Sequence, residues 1–284
     1  MPPDRAPRPG SPGAASRSVQ AKPGVPPVRA VERAVALLKA FGIDRPHLTL
    51  TELAQRADLD KGTARRLLHT LLGTGLVAFD PNAQLYRLGA DLVELASAVP
   101  LGDDLREVAA PIIAEVAEKT GASAFLWVPH DDGAICVDRV RTRMLHIDAT
   151  WFRVGARSPL NCGAGPRVIL AHVSDEVRER VLAGPLPQRT AYSETSAPKL
   201  REAAAVIRDR GWELAINDFF VGLAAVGVPI FDRVGNFAGA LSITSLNDRL
   251  VENGNARHLD ILREAAQQIG ALLKPGPVES GSSR

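Results

Sequence analysis

Two stretches of the 284-residue chain carry residue types whose spacing could do chemistry. The first is Lys61-Gly62-Thr63-Ala64-Arg65-Arg66-Leu67-Leu68-His69. On a helix, Lys61, Thr63, Arg65, Arg66 and His69 stand away from an apolar face made by Ala64, Leu67, Leu68 and Leu71. Cations at the start of a helix suit a duplex groove, because Lys and Arg neutralise phosphates and Arg reaches the guanine edge through two parallel N–H donors. An arginine pair on an arbitrary helix is more often a solvated face, and His69 fits a helix-surface or backbone-facing role better than a base reader. The elements on either side decide between these readings.

The second stretch is Asn161-Cys162-Gly163-Ala164-Gly165-Pro166. Its proline suits the first position of a helix over Arg167 to Val173, and its small residues would let a ligand approach backbone N–H groups where the helix dipole favours an anion. An ordinary tight loop before a helix reads the same way. Ser242 and Thr244, two residues apart, place their hydroxyls on one face of a strand and could bond a small polar ligand, or serve as plain strand residues. A cysteine nucleophile is the competing chemistry: Cys162 at a helix N-terminus with His172 or His146 as base. No nucleophile motif surrounds Cys162. Cys136 and Cys162 are the two cysteines, too few for a disulfide framework or a four-ligand zinc site, so neither a metal nor a cofactor is expected.

The pieces that must hold these stretches are punctuated clearly. Residues 1–27, rich in Pro, Gly, Ala, Ser and Arg, read as a disordered basic tail, as do residues 275–284 at the other end. Val31, Ala34, Val35, Leu37, Leu38 and Phe41 recur at helical spacing up to Gly42. Thr49-Leu50-Thr51-Glu52 is a capping box for a second helix, Thr51 to Ala57. Asp60 caps a third, from Lys61 to Gly73 or Gly75, after a connection of helix-turn-helix length. Leu76–Phe79, the turn Asp80–Ala83 and Gln84–Leu88 then make two strands, a wing.

Composition fits a chain of two domains. It is 45% hydrophobic and 23% charged, with no uninterrupted apolar run long enough for a membrane span and no signal-peptide pattern, so a reduced cytoplasm is expected. Aromatics at 5% argue against a stacking platform for single strands. The net charge of +2 divides unevenly: +3 over residues 1–28, +3 over 29–88 and −4 over the rest. A basic front joined to an acidic remainder is what a polyanion-binding module attached to another domain would show.

Leu50–Ala54, Lys61-Gly62-Thr63, Arg66-Leu67-Leu68 and Tyr86-Arg87-Leu88-Gly89, in that order, make residues 28–88 resemble the winged helix of the isocitrate lyase regulator (IclR) family of bacterial transcription factors. The resemblance runs to about residue 273. It implies an α+β fold: a winged helix-turn-helix over 28–88, a linker helix over 89–101 that helps pair subunits, and a GAF-like effector-binding domain over 102–274 around a twisted antiparallel sheet. It further implies contacts to double-stranded operator DNA from Thr51, Lys61, Thr63, Ala64, Arg65, Arg66, His69 and Arg87. Cys162, Gly163, Ala164, Asn217, Asp218, Leu223, Ala225, Ser242 and Thr244 are the implied effector contacts. The expected protein is a homodimer or tetramer, more often a repressor than an activator, sensing a small organic acid or aromatic compound. The chain departs from the family where Phe219-Phe220 replace commoner acids and Pro166-Arg167 replace a lysine. A DNA-binding scaffold with a ligand-free sensor domain is the other reading of the same residues.

Overall fold

The computed structural model describes residues 26–42, 45–98, 103–141 and 153–274. The expected tails, all but Pro26 and Pro27, the end of the expected linker helix and His146 lie outside the described residues. Two compact units divide the chain, residues 1–100 and 101–284. No helix among the described residues is long and apolar enough to cross a membrane.

The first unit contains α1 (Arg29–Ala40), α2 (Leu50–Arg56), α3 (Lys61–Gly73), β1 (Val77–Asp80), β2 (Leu85–Leu88) and α4 (Asp91–Ser97). The capping box forms in full: Glu52 N–H donates to Thr49 Oγ1 at 3.3 Å and Thr49 N–H to Glu52 Oε2 at 2.9 Å. Asp60 Oδ1 accepts from Thr63 N–H at 2.8 Å and starts α3. Between the two helices Asp58 takes φ 52°, and Leu59 N–H closes the turn onto Ala54 carbonyl at 2.9 Å. Leu37, Leu48, Leu53, Ala54, Ala64, Leu68, Leu71 and Val77 form one core, which fixes α3 against α1 and α2. The wing strands pair antiparallel from Val77 opposite Leu88 to Asp80 opposite Leu85, and Asp80 Oδ1 gathers the turn by accepting from Asn82 and Ala83 N–H. Leu48 bridges to Tyr86, tying the wing back to the start of α2. Gly89 admits no side chain, since a Cβ would lie 1.8 Å from the Gly75 carbonyl oxygen. Of the expected linker helix, Asp91–Ser97 is helical among the described residues, and it buries none of its residues.

The second unit contains α5 (Asp103–Thr120), β3 (Ser123–His130), β4 (Gly133–Val140), β5 (Arg157–Pro159), α6 (Ala164–His172), α7 (Asp175–Ala183), α8 (Ala197–Arg210), β6 (Glu213–Ile216), β7 (Leu223–Phe231), β8 (Phe237–Leu246), α9 (Asn247–Leu250), β9 (Val251–Glu252), β10 (Asn255–Ala256) and α10 (Leu259–Leu272). Six strands make one sheet in the order β5-β4-β3-β8-β7-β6, antiparallel at every pairing. Helices cover both faces. Ala124, Leu126 and Val128 of β3 pack toward α5 and α10, while Phe125 and Trp127 of the same strand pack toward α6, α7 and α8. Burial on both sides explains why SAFLWV and LAAVGV read as nearly unbroken apolar runs rather than alternating ones. This is the GAF-like α+β arrangement. Strand β5 and the β9–β10 hairpin carry too few residues for a periodic signal, strand β6 (Glu213–Ile216) does not alternate in polarity, and none of them was foreseen.

Candidate functional site

In the first unit α3 is held by its buried edge, and the opposite edge is open. Lys61, Arg65, Arg66 and His69 are exposed and Thr63 is half-buried beside them. Arg66 Nη2 donates to Thr63 Oγ1 at 3.4 Å, a long contact on the exposed side of the first turn. Thr51, on the first turn of α2, and Arg87, on the wing, are exposed as well. Among the described residues no ion pair holds Lys61, Arg65, Arg66 or Arg87. Their charge is therefore free for a polyanion, with one cationic edge on α3 and a single exposed arginine, Arg87, on the wing. Ala64 is a correction to the expected set: its side chain is 0% exposed and belongs to the core that seats α3.

In the second unit a cavity opens between the start of α6 and the sheet. Gly163, Ala164, Asp218, Leu223, Ala225, Ser242 and Thr244 all line it, together with Trp127, Gly165, Pro166, Ala215, Phe219, Phe220 and Ala224. Its empty volume is about 390 Å³, part of it open to solvent. The helix begins at Ala164, two residues before the expected proline, with Gly163 as N-cap at φ 82°. Pro166 is then the third helical residue, and the N–H groups of Ala164 and Gly165 have no acceptor within the helix. Two glycines make the close approach possible. A Cβ on Gly165 would meet Trp127 Cδ1 at 2.5 Å, and one on Gly227 would meet the Ala164 carbonyl carbon at 2.8 Å. On β8, Ser242 Oγ accepts from Trp127 Nε1 at 3.0 Å, so its own proton is available to donate.

The rim is a loop clamped from two sides. Asp218 Oδ2 accepts from Gly163 N–H at 2.8 Å, joining the β6–β7 loop to the N-cap of α6. Ser193 Oγ donates to Asp218 carbonyl at 2.6 Å, and Thr190 Oγ1 to Asn217 carbonyl at 2.7 Å. Burial pushes the Asp218 carboxyl above the usual carboxylate range, against the pull of the Gly163 N–H and of Arg167. Burial also raises Glu213, despite Arg167 at 2.9 Å and Arg210, both of which bind it.

The comparisons bear on both units. Residues 30–81 match the family described as "IclR helix-turn-helix domain", and residues 101–271 match "Bacterial transcriptional regulator IclR C-terminal". This chain belongs to the IclR family of bacterial transcriptional regulators. It is 30% identical over 231 residues to the glycerol operon regulatory protein of Streptomyces griseus, covering 80% of this chain and 88% of that one. It is 26% identical over 259 residues to the Pca regulon regulatory protein of Pseudomonas putida, covering 89% and 87%. Among solved structures, an IclR homolog from Microbacterium hydrocarbonoxydans complexed with 4-hydroxybenzoate superposes with a TM-score of 0.75 at 28% identity, over 85% of this chain and 97% of that chain.

Two of the expected effector residues of this IclR-family regulator stand outside the cavity wall. Cys162 is buried, its Sγ 3.7 Å from Pro187 carbonyl, and desolvation raises its pKa. A buried thiol with a raised pKa is a poor nucleophile, which removes the physical argument for a cysteine hydrolase. His172 stacks on Phe237, its Nδ1 facing Val168 carbonyl at 2.8 Å. Asn217 spends its Oδ1 on Gly222 N–H at 2.7 Å and on Asn247 Nδ2 at 2.9 Å, shaping the loop from behind. Trp127 and Ala215 line the cavity without having been singled out. Within an apolar strand nothing local marks which face a ligand will share.

Proposed function

We propose that this IclR-family regulator is a cytoplasmic repressor. In this reading a dimer or tetramer sets the α3 helices and wings of two subunits on a palindromic operator, and a small organic acid or aromatic compound in the cavity changes operator affinity. The observation that carries the reading is the joint one: an uncompensated cationic edge on α3 in one unit, and a cavity with hydroxyls and free N–H donors in the other. Arg65 and Arg66 read base edges or phosphates, Lys61 and Arg87 take phosphates, and Thr51, Thr63 and His69 border them. A compound that binds the cavity alters DNA affinity only by binding the competent and incompetent arrangements unequally. The relative crystallised with 4-hydroxybenzoate supports the aromatic-acid class, since Trp127, Phe219 and Phe220 offer ring contacts here.

Fluorescence anisotropy with fragments of the protein's own upstream region, with and without small monocarboxylates, tests this. The wild type should prefer one fragment and lose affinity when salt is raised. Arg65→Ala and Arg66→Ala should each weaken that complex by about 1–3 kcal/mol, five- to 150-fold, with circular dichroism unchanged. Equal affinity of wild type and variants would refute the assignment of α3.

A further inference from the structure

Asp218 is the one ionisable side chain in the cavity wall among the described residues. The other polar groups there can all donate: the first-turn N–H groups of Ala164 and Gly165, and the hydroxyls of Ser242 and Thr244. Four donors converging on a small space favour a carboxylate. The adjacent Asp218 opposes one. Its Oδ2 sits 2.8 Å from Gly163 N, and successive backbone positions are only about 3.8 Å apart, so a ligand oxygen on the next N–H lies within a few ångströms of the Asp218 carboxyl.

The charged groups around the wall stand outside it. On α6 Arg167 is bound to Glu213 Oε1 at 2.9 Å, and Glu213 on β6 also takes Arg210 from the end of α8. Arg189, from the segment that clamps the rim, lies over the Phe219 ring at 5.0 Å. Cys162, before α6, is a buried thiol. None of these side chains is in the wall: Arg167 pulls on Asp218 from outside it while paired with Glu213, and that pull does not outweigh burial, so a second negative charge in the cavity meets no cation in direct contact. Two carboxylates in such a site do not both ionise at ordinary cost, and one retains a proton.

We propose that the cavity binds a monocarboxylic acid together with one proton taken from solvent and held between the ligand's carboxylate and Asp218, beside the open N-terminus of α6. The inference rests on the reading of the cavity as the effector site. The proton adds to one of the two carboxylates to form an O–H···O⁻ bond, and no other bond is made or broken. Acid effectors then bind more tightly as pH falls, uncharged ones without pH dependence, and dianions poorly. Burial alone already pushes the Asp218 carboxyl in this direction before a ligand arrives.

Isothermal titration calorimetry of the full chain tests it, with a panel of monocarboxylates from acetate to 4-hydroxybenzoate, each paired with its amide. Titrations from pH 6 to 8 use phosphate and Tris, whose ionisation heats differ. The acids should show buffer-dependent heats that report proton uptake, and lose affinity by up to about tenfold per pH unit on raising the pH, while the amides stay flat. Asp218→Asn should remove the pH slope. An acid that binds the wild type with no slope and no buffer dependence overturns the proposal, as does a slope that persists in Asp218→Asn. Binding of amides but of no acid also overturns it and leaves the cavity reading standing. Binding of nothing in the panel takes the cavity reading down as well.

Discussion

His172 shows how much one residue's surroundings decide. It ends α6, stacked on Phe237 at 5.0 Å and edge-on to Phe231 at 5.4 Å. A histidine at a helix C-terminus normally gains a proton there. Here Arg208 and Arg178 already donate to Ala171 carbonyl, so burial and two nearby cations lower its pKa instead. Below 6.5 the unfolded chain takes up the proton and the folded one does not, so His172 costs nothing above that pH and erodes stability as pH falls towards its folded value. Between pH 7.5 and 5.5 the melting temperature of the second unit should fall less, or rise more, in His172→Phe than in the wild type. The rest of the slope comes from other groups: His258, which burial also lowers, acts in the same sense, and Asp218 and Glu213, which burial raises, act in the opposite one. An identical slope in the variant would refute the account.

At the scale of elements, the cavity exists because α6 lies close enough to the sheet for its first-turn N–H groups to share space with strand side chains. Gly227 on β7 permits that contact, opposite Ser242 of β8. Gly227→Ala places a methyl against the backbone of Ala164 and Gly165, which cannot swing aside as a side chain can. The expected cost is about 1–3 kcal/mol of stability, with a displaced helix start and loss of the acid response. Thermal melts and acid titrations of the variant check both parts, and a wild-type profile in each would show that the approach is not needed. Elsewhere each element follows local rules, as the caps at Thr49 and Asp60 illustrate.

For the whole molecule, α4 poses the question of partners. Val93 is 74% exposed and Leu95 56%, on a helix that buries no residue within its own unit. Apolar side chains left so open within the DNA-binding unit suit a second copy of the chain, which the proposed palindromic operator would also require. Val93→Glu with Leu95→Glu should shift the protein to a smaller species in sedimentation velocity. Operator affinity should drop roughly a hundredfold or more, because the second half-site no longer adds to the first. Retention of the wild-type sedimentation coefficient would rule out α4 as a pairing surface.

What residue order determined by itself was local or periodic. The capping box at Thr49, the Asp60 cap, the four-residue wing turn and the cationic edge of α3 each depend on neighbours within a turn or a hairpin, and all four stand in the structure. Part of the cavity was legible too, but through the family resemblance: by themselves Gly163-Ala164 read equally as a tight loop and Ser242–Thr244 as plain strand residues, and both pairs line the cavity. Tertiary packing decided the rest. It turned Cys162 and Asn217 away from the cavity, started α6 at Ala164 rather than at Pro166, and brought Trp127 across from β3. Those outcomes depend on contacts between residues up to 115 positions apart, as in the Trp127–Ser242 bond, and no local pattern encodes which side of a doubly covered strand meets empty space.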